Sequence, residues 1–125
     1  MRHLLLALAV LAVPAAANPP DARDTARLLS GSVTGPAQHC IRQRILHGQT
    51  IVDQSTIVFE RGSGRYYRND VAPGCAALRR NRALLTREIA IGICEGDTFE
   101  VFDPISRVNY GSCIFGPFVP YQRPR

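Results

Sequence analysis

The chain has 125 residues, of which 46% are hydrophobic, and its 15 basic and 10 acidic side chains give a net charge of +5. This length suits one small domain and excludes a multidomain enzyme, a transporter and a large cofactor-binding fold. All 15 basic residues are arginine. GC-rich genomes produce this bias through codon usage, so the bias by itself indicates no function.

The first 17 residues have the three parts of a secretory signal peptide. Arg2 and His3 form a basic start, residues 4–13 are an unbroken apolar run, and residues 15–17 are three small alanines. A run this short cannot span a hydrocarbon core of about 30 Å, which favours cleavage over a membrane anchor. We expect a mature chain that starts at Asn18, resides in the periplasm of a Gram-negative bacterium and has no transmembrane segment.

Four cysteines follow that segment. An even number in a small exported domain predicts two disulfides among Cys40, Cys75, Cys94 and Cys113. Gaps of 35, 19 and 19 residues differ from the paired thiolates of zinc sites, and no Cys-x-x-Cys pair indicates a catalytic thiol. Of the three connectivities we favour Cys75–Cys94 and Cys40–Cys113, because the second would join the first and last strands of a nearly closed sheet.

The rest of the chain divides into a leader, a β-domain and a tail. Residues 18–39 are rich in Pro, Ala, Gly, Ser and Asp, with one short helical stretch at 24–29, and we interpret them as a loosely packed leader. Residues 40–119 form the predicted β-domain, and residues 120–125, rich in Pro and Arg, form the tail.

Short β-prone runs separated by turn residues fill the domain, with one helical turn expected at residues 75–80. Hairpins are predicted around Gly62-Ser63-Gly64 and around residues 95–97. Six to eight short strands predict an all-β fold, a small antiparallel barrel or sandwich. The nine candidate runs from which six to eight strands are expected lie at residues 41–46, 50–52, 56–61, 65–68, 83–86, 88–94, 98–102, 107–110 and 112–115.

A series of short motifs extends from Cys40 to Phe118, over about 79 of the 125 positions. They are Cys40-Ile41, Arg44-Ile45, Val52-Asp53, Tyr67, Cys75-Ala76-Ala77-Leu78, Ile93-Cys94-Glu95-Gly96-Asp97 and Cys113-Ile114. The series resembles a family of small exported proteobacterial proteins, many of them lipoproteins, whose domain has no assigned activity. The resemblance implies an exported β-domain, although this sequence lacks the cysteine that would follow a lipoprotein signal.

Neither catalytic residues nor a bound metal or other cofactor is predicted. Gly62-Ser63-Gly64 lacks the Gly-x-Ser-x-Gly spacing of a nucleophile elbow, and a hairpin loop explains both glycines. We interpret His39 and His47, which lie in turn-like segments, as surface side chains. Asp97 is expected to cap its own turn by bonding the backbone.

A calcium site of Asp97, Glu100 and Asp103 is not expected either. On an extended strand Glu100 points away from the side shared by the other two, so the three carboxylates do not converge. The sequence also lacks an EF-type loop.

The densest charge cluster consists of Arg79, Arg80, Arg82 and Arg87. A solvated loop, with arginine supplied by codon bias, is the default interpretation. The functional alternative is a binding surface for an anionic partner, which could be a lipid headgroup, lipopolysaccharide phosphate or an acidic protein. Nucleic acid is not an expected partner, because no aromatic stacking motif surrounds the cluster.

Three functions stay open at this point. A non-enzymatic binding or interaction module is favoured, since a small β-domain can present loops without a catalytic set. A small hydrolase would use Asp97 and Glu60. An inhibitor of a cell-wall hydrolase is the third, because residues 62–67 are slightly similar to the Ser-Gly-rich hairpin of small exported lysozyme inhibitors. The positive charge argues against the third, since lysozymes are usually cationic too.

Overall fold

The computed structural model describes residues 12, 26–27, 29–87 and 92–124. Within these residues ten strands pair antiparallel in three sheets, so the all-β fold is confirmed, and the sheets do not close into a barrel. The elements are β1 (Ser32–Val33), β2 (Cys40–Ile41), a 3-10 turn (Gln43–Ile45), β3 (Gly48–Ile51), β4 (Thr56–Gly62), β5 (Arg65–Asp70), β6 (Ala83–Thr86), β7 (Ile93–Cys94), β8 (Thr98–Phe102), β9 (Asn109–Ile114) and β10 (Phe118–Gln122). The sheet orders are β1-β10-β5-β4-β3, β2-β7 and β6-β8-β9.

Some predictions fall outside the described residues. Of the predicted signal peptide only Ala12 is described, and of the strand at 88–94 the described part is Gly92 followed by β7. Within the helical stretch predicted at 24–29, Ala26, Arg27 and Leu29 are helical. No helix in the described part of the chain is long and apolar enough to cross a membrane.

The three sheets share one apolar core. Its centre is Phe115, just after β9, whose ring lies 4.3 Å from that of Phe99 on β8, 6.0 Å from Phe59 on β4 and 5.7 Å from Phe118 on β10. Ile93 of β7 belongs to the same buried cluster. Aromatic side chains contribute large buried areas, and these edge and tilted contacts are the arrangements that their rings prefer. The core therefore depends on contributions from all three sheets.

The opposite face of the five-stranded sheet carries a second, smaller cluster. Val58 and Tyr66 are buried there, and the partly buried Leu29 and Tyr121 pack against them. The Tyr66 hydroxyl donates a hydrogen bond to the Ser30 carbonyl at 2.8 Å, and burial raises the pKa of this phenol. Part of the predicted leader is thus packed on the sheet.

The strand predicted at residues 41–46 is wrong beyond Ile41. The chain turns there into the 3-10 turn, and Ile45 is exposed, so the alternation of Ile41 and Ile45 does not mark one buried face. Leu46 packs against the core instead. The chain reverses to start β3, and one spaced pair of isoleucines cannot distinguish a strand from such a reversal.

The helical turn predicted at residues 75–80 is also wrong. The Leu78 amide donates to the Cys75 carbonyl and the Arg82 amide to the Arg79 carbonyl, each at 3.0 Å, which makes two reverse turns. Cys75 and Leu78 are both buried in the main core. Packing of these two side chains, three residues apart, determines the backbone where the run is too short to sustain a helix.

Residues 120–122 of the predicted tail are strand residues, because β10 lies between β1 and β5. A proline such as Pro120 is not expected in a strand that pairs on both sides, because it has no N–H to donate to a ladder. Its carbonyl accepts a hydrogen bond from Thr34 at 3.0 Å. The N–H and C=O of one residue point to the same side of an antiparallel strand. The missing N–H is therefore on the leader side, and the ladder with β5 is uninterrupted.

One predicted hairpin is confirmed and the other is wrong. Gly62, Ser63 and Gly64 connect β4 and β5 with φ angles of 88°, 53° and 73°. The turn at residues 95–97, by contrast, joins β7 of the two-stranded sheet to β8 of the three-stranded one. Its backbone bonds Phe115 after β9 rather than closing a ladder between its flanking strands.

Both disulfides form, but the favoured pairing is wrong, because the bonds are Cys40–Cys94 and Cys75–Cys113. The pairing assumed that the first and last strands are neighbours in a nearly closed sheet. Instead β2 pairs with β7, which places Cys40 directly opposite Cys94. Cys113 lies on β9 and reaches the turn at Cys75, which is buried in the main core.

A buried amide connects the five-stranded sheet to the chain that leaves β9. Asn69 on β5 has no exposed surface; its Nδ2 donates to the Gly116 carbonyl at 2.8 Å, and its Oδ1 accepts from the Gly116 amide at 3.0 Å. A Cβ at Gly116 would lie 2.0 Å from the Asp70 carbonyl oxygen. Only glycine allows the two backbones to approach this closely.

We expect Asn69→Ala to lower the free energy of unfolding by about 2–4 kcal/mol, because it leaves the buried N–H and C=O of Gly116 without partners. Urea denaturation measures the change. Asn81→Ala, at an exposed asparagine, is the matched control and should alter stability by less than about 0.5 kcal/mol. Equal effects of the two variants would contradict this role of Asn69.

The two disulfides should contribute similarly to stability. They span 54 and 38 residues, for which the chain-entropy relation gives about 4 kcal/mol each as an upper value. We expect Cys40→Ala/Cys94→Ala and Cys75→Ala/Cys113→Ala to lower the free energy of unfolding by comparable amounts. A double variant as stable as the wild type in urea denaturation would contradict the expectation.

Candidate functional site

In the loop between β8 and β9, residues 103–108, every backbone amide N–H has an acceptor within the loop. The Asp103 amide donates to the Val108 carbonyl at 2.9 Å, and the Arg107 amide donates to the Asp103 carbonyl at 2.8 Å. The Asp103 carboxylate accepts hydrogen bonds from the amides of Ile105 at 2.8 Å and Ser106 at 3.2 Å. Asp residues support tight turns through this kind of side-chain bond. The loop is therefore ordered by its own residues.

This ordered loop presents apolar side chains to solvent. Ile105 at its tip is 93% exposed, the largest exposure among the large hydrophobic residues of the described chain, and Val108 is 47% exposed. Tyr110, at the start of β9, is 41% exposed. Single exposed apolar residues are common on protein surfaces. Three within six residues, on a rigid loop, mark the segment as a candidate binding surface.

Arg82 joins this loop to the arginine-rich turn. Its guanidinium carbon lies 3.4 Å from the centre of the Tyr110 ring, and its Nη1 donates to the Ala77 carbonyl at 2.6 Å. Arginine over an aromatic face is a favourable cation–π contact. Arg79, one turn earlier, and Arg107 in the loop are exposed. We call this region the loop–arginine surface, defined by Arg79, Arg82, Ile105, Arg107, Val108 and Tyr110.

The four arginines singled out in the sequence do not form one cluster. Arg79, Arg80 and Arg82 share the turns before β6, and Arg80 directs its Nε to the Val52 carbonyl at 3.4 Å. Arg87 follows β6, whose four residues place it five steps of extended chain, about 17 Å, from Arg82. It lines a cleft of about 240 Å³ with Leu85, Thr98 and Glu100 on the outer face of the three-stranded sheet.

The candidate hydrolytic carboxylates both have structural partners. Asp97 accepts a hydrogen bond from the Cys94 amide at 2.8 Å, which confirms that it caps its own turn. Glu60, on β4 of another sheet, pairs with Arg123 at 2.5 Å. Asp103 bonds its own loop and Glu100 lies opposite Leu85. In the described residues no three of His, Cys, Asp and Glu are grouped so as to hold a metal ion.

The β4–β5 hairpin does not present its aromatic residues. Tyr66 and Tyr67, which follow the Gly62-Ser63-Gly64 tip, are buried on opposite faces of the sheet. The interpretation of both histidines as surface residues is confirmed. His39 lies 3.5 Å from Glu95, and the exposed His47 places its ring against Gly62.

No family model, curated protein or solved structure matches this chain. The resemblance to small exported proteobacterial proteins therefore stays a prediction. Asp103 was considered from the sequence only as part of a calcium site, and this loop was not predicted. Aspartate before proline and serine signals a turn with side-chain bonds to the backbone. The exposure of Ile105, however, has no sequence signal.

We expect Asp103 to titrate below the usual value of 3.8, because hydrogen bonds from the Ile105 and Ser106 amides, with a smaller contribution from Arg82, lower its pKa. A depressed carboxyl pKa adds stability that is present above 3.8 and is lost as the pH falls through the folded-state value. NMR titration should show the amide signals of Ile105 and Ser106 shifting together with the Asp103 carboxyl, below pH 3.8. Titration of Asp103 at or above 3.8 would mean that the loop bonds do not form.

Proposed function

We propose that this protein is an exported, non-enzymatic binding module that binds an anionic partner through the loop–arginine surface. The observation that carries the proposal is the contact between Arg82 and Tyr110. This contact places the cationic turn beside a rigid loop with exposed apolar side chains. The surface thereby combines positive charge with apolar area.

The order of the loop supports a binding role. Binding costs free energy for each loop and side chain that must be immobilised, and a pre-organised loop avoids most of that cost. The Asp103 bonds hold the backbone before any partner arrives. The arginines supply guanidinium donors suited to phosphate or carboxylate oxygens.

Export is part of the same proposal. The sequence features of a cleavable signal peptide support it, and so do two disulfides in a small domain, since such bonds persist in oxidising compartments. The periplasm of a Gram-negative bacterium fits both features. Anionic partners in that compartment include phospholipid headgroups, lipopolysaccharide and acidic proteins.

Charge-neutralising variants test the proposal. Arg79→Gln/Arg107→Gln removes two exposed charges from the loop–arginine surface, and Arg42→Gln/Arg44→Gln removes two exposed charges from the region of the 3-10 turn. The probes are phosphatidylglycerol vesicles, lipopolysaccharide and polyglutamate at low salt. An arginine near an anionic surface contributes about 1 kcal/mol, so the first variant should weaken binding about 30-fold. The second should bind like the wild type.

Salt dependence and stability complete the test. Binding should weaken steeply as added salt shortens the Debye length below about 10 Å. Both double variants should unfold at the same urea concentration, because their charges are exposed. The proposed function is contradicted if the wild type binds none of the three probes, or if both double variants weaken binding equally.

A further inference from the structure

We propose that the anionic partner is the surface of an anionic phospholipid bilayer, and that the tip of the β8–β9 loop enters its interface. This inference rests on the proposed function and adds the class of partner. Ile105 and Val108 would reach the boundary between headgroups and acyl chains. Tyr110, Arg79, Arg82 and Arg107 would stay at the level of the headgroups.

The polarity of the side chains changes in order along the loop. The most exposed apolar side chain, Ile105, is at the tip, whereas Tyr110 and Arg82 are stacked at the base. Interfacial proteins place apolar groups deepest, amphipathic aromatic rings at the headgroup level and cationic groups beside the phosphates. The loop has these three layers within eight residues.

The loop backbone leaves no amide in need of an outside acceptor. The amides of Asp103 and Arg107 bond backbone carbonyls within the loop, and those of Ile105 and Ser106 bond the Asp103 carboxylate. The Val108 amide bonds the Ser106 hydroxyl at 3.4 Å, and position 104 is a proline without an N–H. An unsatisfied amide is costly where water is scarce. The amides of this loop therefore stay hydrogen-bonded where water is scarce.

The same feature favours a lipid surface over a protein. A protein partner usually forms direct hydrogen bonds across the interface, about one per 100–200 Å², and this loop has no unbonded amide to offer. A bilayer requires neither backbone donors nor a pocket shaped for isoleucine.

The surface offers both apolar contact and positive charge to a bilayer. One short apolar group gives only marginal membrane binding, and stable attachment requires a second signal such as a basic patch. Arg79, Arg82 and Arg107 provide that patch around the loop. Of the nearby acids, Asp103 is bonded inside the loop and opposed by Arg82, and Glu100 lies on the outer face of the sheet beside Arg87.

Tryptophan fluorescence tests the insertion directly, because the chain contains no tryptophan. Ile105→Trp is the probe variant. The matched control is Ile45→Trp, at another exposed isoleucine. This residue lies close in sequence to two arginines, Arg42 and Arg44. With phosphatidylglycerol vesicles, we expect a blue shift and quenching by brominated lipid for Ile105→Trp only. Pure phosphatidylcholine vesicles should leave both spectra unchanged. Similar spectra for the two variants would overturn the inference.

Ile105→Ser separates this inference from the proposed function. Loss of the isoleucine should lower partitioning onto phosphatidylglycerol vesicles about tenfold, the factor that corresponds to about 1.4 kcal/mol of lost apolar burial. Its binding to polyglutamate should equal that of the wild type. If Arg79→Gln/Arg107→Gln weakens binding while Ile105→Ser does not, the anionic binding stands and the insertion is wrong. Wild-type binding to lipopolysaccharide or polyglutamate without binding to vesicles would also overturn the insertion.

Discussion

The reciprocal hydrogen bonds between the Asn69 amide and the backbone of Gly116 hold the two larger sheets together. Asn69 belongs to β5 at the centre of the five-stranded sheet, and Gly116 lies in the short connection from β9 to β10. Phe115 and Phe118, on either side of that glycine, fill the core between the sheets. A displaced connection would therefore disturb the aromatic core and the β5–β10 ladder together. The buried bonds to Gly116 make this position specific.

Stability and the proposed binding depend on different residues in this molecule. The buried amide, the aromatic cluster and the disulfides hold the sheets, and none of them belongs to the loop–arginine surface. The β8–β9 loop is ordered instead by Asp103 and by the stacking of Arg82 on Tyr110. Small domains have little free energy of folding to spare. Because the loop is ordered locally, substitutions in it can alter the proposed binding without weakening the core.

Local patterns in the sequence predicted several elements correctly. The apolar run of β4 and the two glycines after it gave the β4–β5 hairpin, and the alternation in β8 gave that strand. The even number of cysteines gave two disulfides. The carboxylate of Asp97 was identified as a turn cap because its partner is only three residues away. All of these depend on neighbours in the chain, which a sequence shows directly.

The sequence by itself determined that the chain is an all-β domain with two disulfides, because β-branched runs, turn residues and cysteine number are local properties. Only the tertiary structure decided which cysteines pair. Cys94 lies opposite Cys40 in a two-stranded sheet, and no local sequence pattern predicts that sheet. It likewise decided that residues 120–122 complete β10, that Arg87 is separate from Arg82, and that Ile105 is exposed while Ile57 is buried. An isoleucine has the same chemistry in a core and at a loop tip, and its place depends on contacts between segments far apart in the chain.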